Sequence, residues 1–161
     1  MTTLTLSDIF IYPVKSLGGI RVEKWDVVNT GLKYDRQWML IDQQGQFLSQ
    51  RKIPEMALIH TQITSEYLII SAPRQEDLIL SLNPELGEVV QSTVWEDTCA
   101  AHIISTIADA WFSRFLKIPC HLVYLPTQAK RGVDLKYAQD HDRVSFSDGF
   151  PFLIASENSL N

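Results

Sequence analysis

What most constrains this chain is the rhythm of its first hundred residues. Short runs of β-forming residues follow one another, and a turn signal closes each run before it can lengthen. Thr2–Val14 is rich in β-formers up to Pro13, and Arg21–Val28 alternates, with Val22, Trp25 and Val27 as its larger apolar members. Trp38–Ile41 is a short apolar run followed by a turn at Gln44-Gly45 and then Phe47-Leu48. Ala57–Ile63 and Tyr67–Ser71 are joined by Thr64-Ser65-Glu66, while Leu78–Leu82 and Glu88–Val94 flank a turn centred on Asn83-Pro84 and Gly87. Strands this short at this spacing predict a barrel or a sandwich.

One segment breaks the rhythm. From Ser105 to Lys117, Ile107, Ala108, Trp111, Phe112 and Phe115 recur at helical spacing, which predicts an amphipathic helix with those residues in the core. Ser105 is placed to cap its first turn, Lys117 complements the helix dipole near its end, and Pro119 prevents continuation. Cys120–Leu125 returns to β character, and residues 126–142 are polar and weakly periodic, a loop of the length that usually carries function or stays disordered. Phe152–Ala155 reads as a further strand, with Ser156 capping a helix that has only about one turn to run before Asn161. The expectation is therefore an α+β chain, mostly β, with one main helix near 105–117, cut short at its end.

Composition narrows the function classes. With 161 residues, 45% hydrophobic and 20% charged, the chain is long enough and apolar enough to build one core. Its net charge of −5 argues against nucleic acid or an anionic membrane as partner, so any cationic site must be a local concentration. No apolar run is long enough to span a bilayer, and the first residues lack the pattern of a signal peptide, so a cytoplasmic location is expected. Cys99 and Cys120 lie far apart and border apolar runs, as buried structural thiols do. The four histidines show no zinc-ligand spacing, so no metal site and no catalytic residue is legible.

Four stretches concentrate groups suited to an anion. Lys15-Ser16 is followed by Gly18-Gly19; Arg36 stands beside Asp35 at the start of a strand; Arg51 and Lys52 precede Pro54; and Ser147-Asp148-Gly149 form a turn before Pro151. Taken singly, a Lys-Ser turn is ordinary solvated decoration. Together, all four sit where β structure meets a turn, the edge at which barrels and sandwiches build binding sites. Arginine offers a planar fork to phosphate, lysine a compact charge, and Ser16 with nearby backbone N–H groups could complete the pocket. As edge charges, Lys15 and Arg36 are expected to be exposed.

In this order, "IYPVKS", "DRQWMLID" with "GQFLSQRKIP", and "SFSDGFPFLIASENSLN" resemble the N-terminal part of MOSC proteins. In pattern they are similar to the bacterial YcbX-type proteins and the mitochondrial amidoxime-reducing components. The resemblance implies a MOSC N-terminal β-barrel-like domain over residues 1–142 and the start of the MOSC domain, truncated, over 143–161. Full-length members bind the pterin molybdenum cofactor and reduce N-hydroxylated compounds. Electrons reach them from a partner protein or a fused ferredoxin-like domain, and at superfamily level pyridoxal phosphate binding is also implied. Carried over, Lys15, Ser16 and Arg36 would contact the pterin and phosphate. Arg51 would lie at the site or directly behind it, and Ser147, Asp148 and Gly149 would line it.

The family's molybdenum-ligating cysteine lies beyond the last residue here, and neither Cys99 nor Cys120 matches its motif. The chain is thus expected to be an N-terminal fragment, inactive alone and retaining no cofactor, of a molybdenum-dependent oxidoreductase. The alternative is a non-catalytic binding or sulfur-carrier module of the same superfamily.

Overall fold

The computed structural model describes residues 5–129 and 131–159. The chain starts with a small antiparallel hairpin, β1 (Ile9–Ile11) with β2 (Ile20–Val22), followed by a second, β3 (Val27–Val28) with β4 (Gly31–Leu32). β5 (Trp38–Ile41) begins the main sheet. After it come β6 (His60–Ile63), β7 (Tyr67–Ser71) and β8 (Leu78–Ser81), a three-stranded antiparallel meander. The hairpin β9 (Val89–Val94) and β10 (Asp97–Ile103), helix α1 (Thr106–Leu116) and strand β11 (His121–Tyr124) complete the regular structure.

The main sheet runs in the order β5–β11–β10–β9, all antiparallel. Its two edges do not stay open. Phe47 bridges back to Ile41 of β5, and Gln46 bridges to Thr93 of β9, with the Phe47 N–H donating to the Thr93 carbonyl at 3.2 Å. The Gln46-Phe47 segment therefore closes the curled sheet towards a barrel, which removes the unpaired edges that a flat sheet would expose. Gly45 makes the closure possible. It holds φ +78°, and a Cβ there would lie 2.3 Å from the Gln91 carbonyl oxygen, so no other residue fits.

Closure gives the sheet two buried faces. Met39, Ile41, Val123 and Phe146 fill the inner one. Trp38, Leu40, Leu122 and Tyr124 face outward, where α1 and the meander cover them through Trp111, Phe112, Leu68 and Leu80. This is why β5 is apolar at every position rather than alternating: all four of its residues are buried. Among the described residues no helix is long and apolar enough to cross a membrane.

The mostly β architecture with one main helix agrees with the sequence reading, and α1 keeps its expected cap: the Ala108 N–H donates to the Ser105 side chain at 3.1 Å. Several boundaries differ for physical reasons. Residues 2–4 of the first expected strand lie outside the described residues, and the strand itself is only β1, because it pairs only where β2 runs alongside. The single strand expected over Arg21–Val28 is two, since the chain changes partner between β2 and β3. Ala57 and Leu58 belong to a 3-10 helix, Pro54–Leu58, which Pro54 starts, so the strand begins only at His60.

β10 was not foreseen at all. Its sequence Asp-Thr-Cys-Ala-Ala-His-Ile has weak β propensity, yet it pairs on both sides, with β9 and β11. Phe152–Ala155 is not a strand, because nothing pairs with it among the described residues, and Ile154 is 92% exposed. After it comes a 3-10 turn, Glu157–Ser159, in place of the expected helix start, with Leu160 and Asn161 outside the described residues. Cys120 is buried as expected, whereas Cys99 is only half-buried.

On α1, Ile107 is 74% exposed and Leu116 takes the core place assigned to it. Trp111 is buried against Phe112, ring centroids 4.9 Å apart, and donates through Nε1 to the Glu76 carbonyl at 2.7 Å. Trp111→Ala should lower unfolding free energy by about 3–5 kcal/mol. Ile107→Ala should change it by no more than about 0.5 kcal/mol. Urea unfolding of both variants, followed by circular dichroism, checks the contrast.

Candidate functional site

At the end of β1 the chain turns at Pro13 and runs beside the start of β5. The Trp38 N–H donates to the Pro13 carbonyl at 3.1 Å, and the Lys15 N–H donates to the Trp38 carbonyl at 2.8 Å. That pairing drives the Lys15 side chain inward. The next residue, Ser16, takes φ +65° to reverse the chain, and its carbonyl accepts from Gln50 Nε2 at 3.0 Å. Arg36 (φ +50°) and Trp95 (φ +57°) hold the same left-handed conformation on neighbouring turns. Non-glycine residues there carry about 1–2 kcal/mol of strain each, a cost found most often where loops are shaped for function.

The segment 145–151 crosses this end of the barrel, and cations grip it along its length. Lys15 Nζ donates to the Phe146 carbonyl at 2.8 Å and to Asp148 Oδ1 at 2.6 Å. Arg131 Nη1 donates to the Ser145 carbonyl and to the Ser147 carbonyl, the latter at 2.7 Å, while its Nη2 donates to Asp97 Oδ2 at 3.1 Å. Arg36 Nη2 donates to the Pro151 carbonyl at 3.0 Å and pairs with Asp35 Oδ2 at 2.7 Å. Asp35 in turn accepts the Tyr12 N–H at 2.7 Å, and the Phe146 N–H donates to the Arg36 carbonyl at 2.9 Å.

Aromatic rings wall the outer side. Trp95 Nε1 donates to the same Asp148 Oδ1 at 2.9 Å, and the Trp95 ring packs edge-on against Phe47 with centroids 5.0 Å apart. Lys15 Nζ stands 5.3 Å from the Phe47 centroid, and the Arg51 guanidinium lies 5.1 Å from that of Trp95. Beyond them opens a cleft of 730 Å³ lined by Trp95, Asp97, Tyr137, Asp148, Gly149 and Phe150 among others.

The charges perturb one another. Burial pushes the Lys15 ammonium below its usual pKa, and the like charges of Arg131 and Arg36 push the same way against the support of Asp148. For Asp148, burial acts upward. The hydrogen bonds from Lys15 and Trp95 and the charges of Lys15 and Arg51 outweigh it and hold the carboxyl below its usual range. Burial pushes Asp35 up despite Arg36 and the Tyr12 N–H, and it also raises both cysteine thiols, so neither Cys99 nor Cys120 offers a thiolate at neutral pH.

The residues singled out in the sequence are thus drawn to one end of the barrel, in different ways. Lys15 and Trp95 meet on Asp148, and Arg51 lies over the Trp95 ring. Arg36 reaches the same segment at Pro151, Ser147 enters through its carbonyl, Ser16 shapes the adjoining turn, and Gly149 lines the cleft. The expectation that Lys15 and Arg36 are exposed is corrected: Lys15 is 5% exposed and Arg36 largely covered, because 145–151 folds over them. Sequence reasoning missed Arg131, Trp95 and Phe47. Arg131 sits in the long polar loop whose length already pointed to function, whereas nothing local marked the two rings.

A metal or cofactor would find donors here but no soft ligand. Lys15 supplies an ammonium, Arg51 an exposed guanidinium, and Arg36 Nε and Ser147 Oγ are buried polar atoms with no partner among the described residues. Among the described residues no group of His, Cys, Asp and Glu is arranged to hold a metal ion. The donor set therefore fits the phosphate end of an anionic cofactor and not a metal centre.

A family model described as the MOSC N-terminal beta barrel domain matches residues 3–119. Mitochondrial amidoxime-reducing component 1 of Mus musculus is 32% identical over 165 residues, covering 97% of this chain and 48% of that protein. Molybdenum cofactor sulfurases of Homo sapiens and Oryza sativa subsp. japonica are each 30% identical, over 84% and 100% of this chain but only 16% and 21% of their own lengths. This chain therefore spans about half, or about a fifth, of the relatives it matches. A solution structure from Bordetella bronchiseptica shares the fold, with a TM-score of 0.50 over 62% of this chain and 85% of that one, at 21% identity.

Arg131 is 4% exposed and alone serves two carbonyls. Arg131→Ala should therefore destabilise the chain by about 3 kcal/mol, since it leaves buried acceptors without a donor. It should also speed amide hydrogen exchange at Phe146, while Arg51→Ala leaves both readouts near wild type.

Proposed function

The chain belongs to the MOSC N-terminal beta barrel domain family, and on that premise we propose that it forms the anion-holding wall of a molybdenum cofactor site. The observation that carries the reading is that Lys15 Nζ and Trp95 Nε1 converge on one carboxylate oxygen, with the Arg51 guanidinium over the Trp95 ring and Arg36 holding the same segment at Pro151. Lys15 would hold a phosphate oxygen from below and Arg36 would fix the adjoining segment. Ser16 would present its hydroxyl from a strained turn, and Trp95 and Phe47 would shield the contact from water. Ser147, Asp148 and Gly149 would line the open side.

When bound, the cofactor would supply two-electron redox chemistry at its metal. This chain's residues would bind and orient it, and the thiolate ligand would come from outside them, because neither Cys99 nor Cys120 lines the cleft beside Asp148. In the longer protein we place this wall in a reductase of N-hydroxylated compounds, supplied with electrons by a partner protein or a fused ferredoxin-like domain, and working in the cytoplasm. Kinship with the amidoxime-reducing component over nearly the whole chain supports that choice. A second reading, a non-catalytic binding or sulfur-carrier module, draws on the kinship with proteins named molybdenum cofactor sulfurases.

In the full-length protein, Lys15→Gln and Arg36→Gln should each weaken cofactor retention about tenfold, the size of one charge-assisted hydrogen bond. Molybdenum per protein chain, measured on variants whose circular dichroism matches wild type, is the readout. Unchanged metal content in both would overturn the reading.

A further inference from the structure

The Lys15–Asp148 contact is lopsided. Lys15 has a side chain 6% exposed and is fixed from below, whereas the Asp148 side chain is 65% exposed and reaches the site from the solvent side. A pair that served only the fold would gain little from an end so open to water. Yet one oxygen of Asp148, Oδ1, takes both the Lys15 ammonium at 2.6 Å and the Trp95 indole N–H at 2.9 Å. Arg51, seated over the Trp95 ring, adds its charge to the same carboxylate. An ammonium and an indole N–H aimed at one oxygen, with a guanidinium charge close by, are the donor set of an oxyanion receptor.

We propose that Asp148 is an internal stand-in for the ligand's oxyanion, so that a phosphate group binds at Lys15, Trp95 and Arg51 by exchange with the Asp148 carboxylate. The proposal rests on the anion-site reading above and adds to it how the site is guarded.

The chain around Asp148 allows the exchange. Ser147 is anchored through its carbonyl by Arg131, and Pro151 through its carbonyl by Arg36. Between those anchors lie only Asp148, Gly149 and Phe150, and a Cβ at Gly149 would meet nothing within 4 Å. The carboxylate can therefore swing into the 730 Å³ cleft that it lines without disturbing either anchor. A phosphate offers more charge and more acceptor oxygens than one carboxylate, so it can engage all three donors together. Once it is seated, like-charge repulsion keeps Asp148 outside, where water solvates it. With the subsite empty, Asp148 spares the buried Lys15 from standing without a counter-charge.

The probe is inorganic phosphate titrated into the full chain at constant ionic strength, followed by NMR on the Trp95 indole N–H, with the resonance identified by its loss in Trp95→Phe. If the stand-in fills the subsite about nine-tenths of the time, removing it tightens apparent affinity about tenfold. Asp148→Ala and Asp148→Asn should both show that gain. Glu96→Gln removes the same charge from the same cleft without freeing Lys15, and should change affinity less than about twofold. In wild type, saturating phosphate should return the carboxyl pKa of Asp148, read from its 13C shift, towards the ordinary carboxylate range.

Affinity unchanged in both Asp148 variants, or raised as much by Glu96→Gln, would overturn the exchange. If that phosphate binding were lost in Lys15→Gln, the anion site itself would still stand. Binding by no variant, or binding that leaves the Trp95 resonance unmoved, would also overturn the inference. The molybdenum measurement would still judge the cofactor reading separately.

Discussion

Everything at the candidate-site end of this fold depends on how Lys15, Arg36 and Arg131 hold the backbone of residues 145–151. Among the described residues the carbonyls of Ser145, Phe146, Ser147 and Pro151 have no strand partner, yet the first three residues of the segment are buried. A buried carbonyl without a donor costs on the order of 1–3 kcal/mol. Backbone amides cannot supply the donors here, because the barrel is already closed by Gln46-Phe47. Long cationic side chains reach across instead, and their charges are balanced by Asp148, Asp35 and Asp97. Such pairs are weak sources of net stability, but removing the carboxylate would leave the buried Lys15 or Arg131 without its counter-charge.

The barrel supplies the rigidity this arrangement needs. Phe146 is fully buried among Met39, Ile41 and Val123, so the segment is pinned by a ring inside the barrel and by cations at its rim. Lys15 is aimed by backbone pairing with Trp38, the first residue of β5, whose outward ring packs on Tyr124 with centroids 5.1 Å apart. Core and site therefore share residues at one remove. A change that loosened β5 would be felt at the Lys15 ammonium before it reached any exposed group.

Legibility in the sequence followed the range of the interactions. The helix was plain, because its cap, its stripe and its terminating proline are all local to residues 105–119. β5 and β7 were plain for the same reason, as compact apolar runs. β10 was invisible, since two alanines and a cysteine form a strand only when β9 and β11 are already alongside. The opposite error occurred at Phe152–Ala155, where good β-formers have no partner to pair with. In the site, Lys15, Arg36, Arg51 and Asp148 were found as charges next to turns, but their burial was not. Whether a turn charge is solvated or covered is decided by a segment more than a hundred residues away. Arg131 and Trp95 act only through such long-range contacts, and no window of sequence around them carries the signal.

The matched family model ends at residue 119, and this boundary cuts through the site rather than beside it. Lys15, Arg36 and Arg51 lie within the match, whereas Arg131, Ser147 and Asp148 lie beyond it. A chain ending at residue 119 would lack both acceptors of the Lys15 ammonium and the residue that Arg36 reaches at Pro151. It would also lack β11, the strand that joins β5 to β10, and with it the inner core around Val123 and Phe146. What remained would expose a lysine stem and an apolar sheet face to water. The smallest unit able to present these cations as a receptor must therefore include residues 120–151. Barrel and site are both built from residues on the two sides of that boundary.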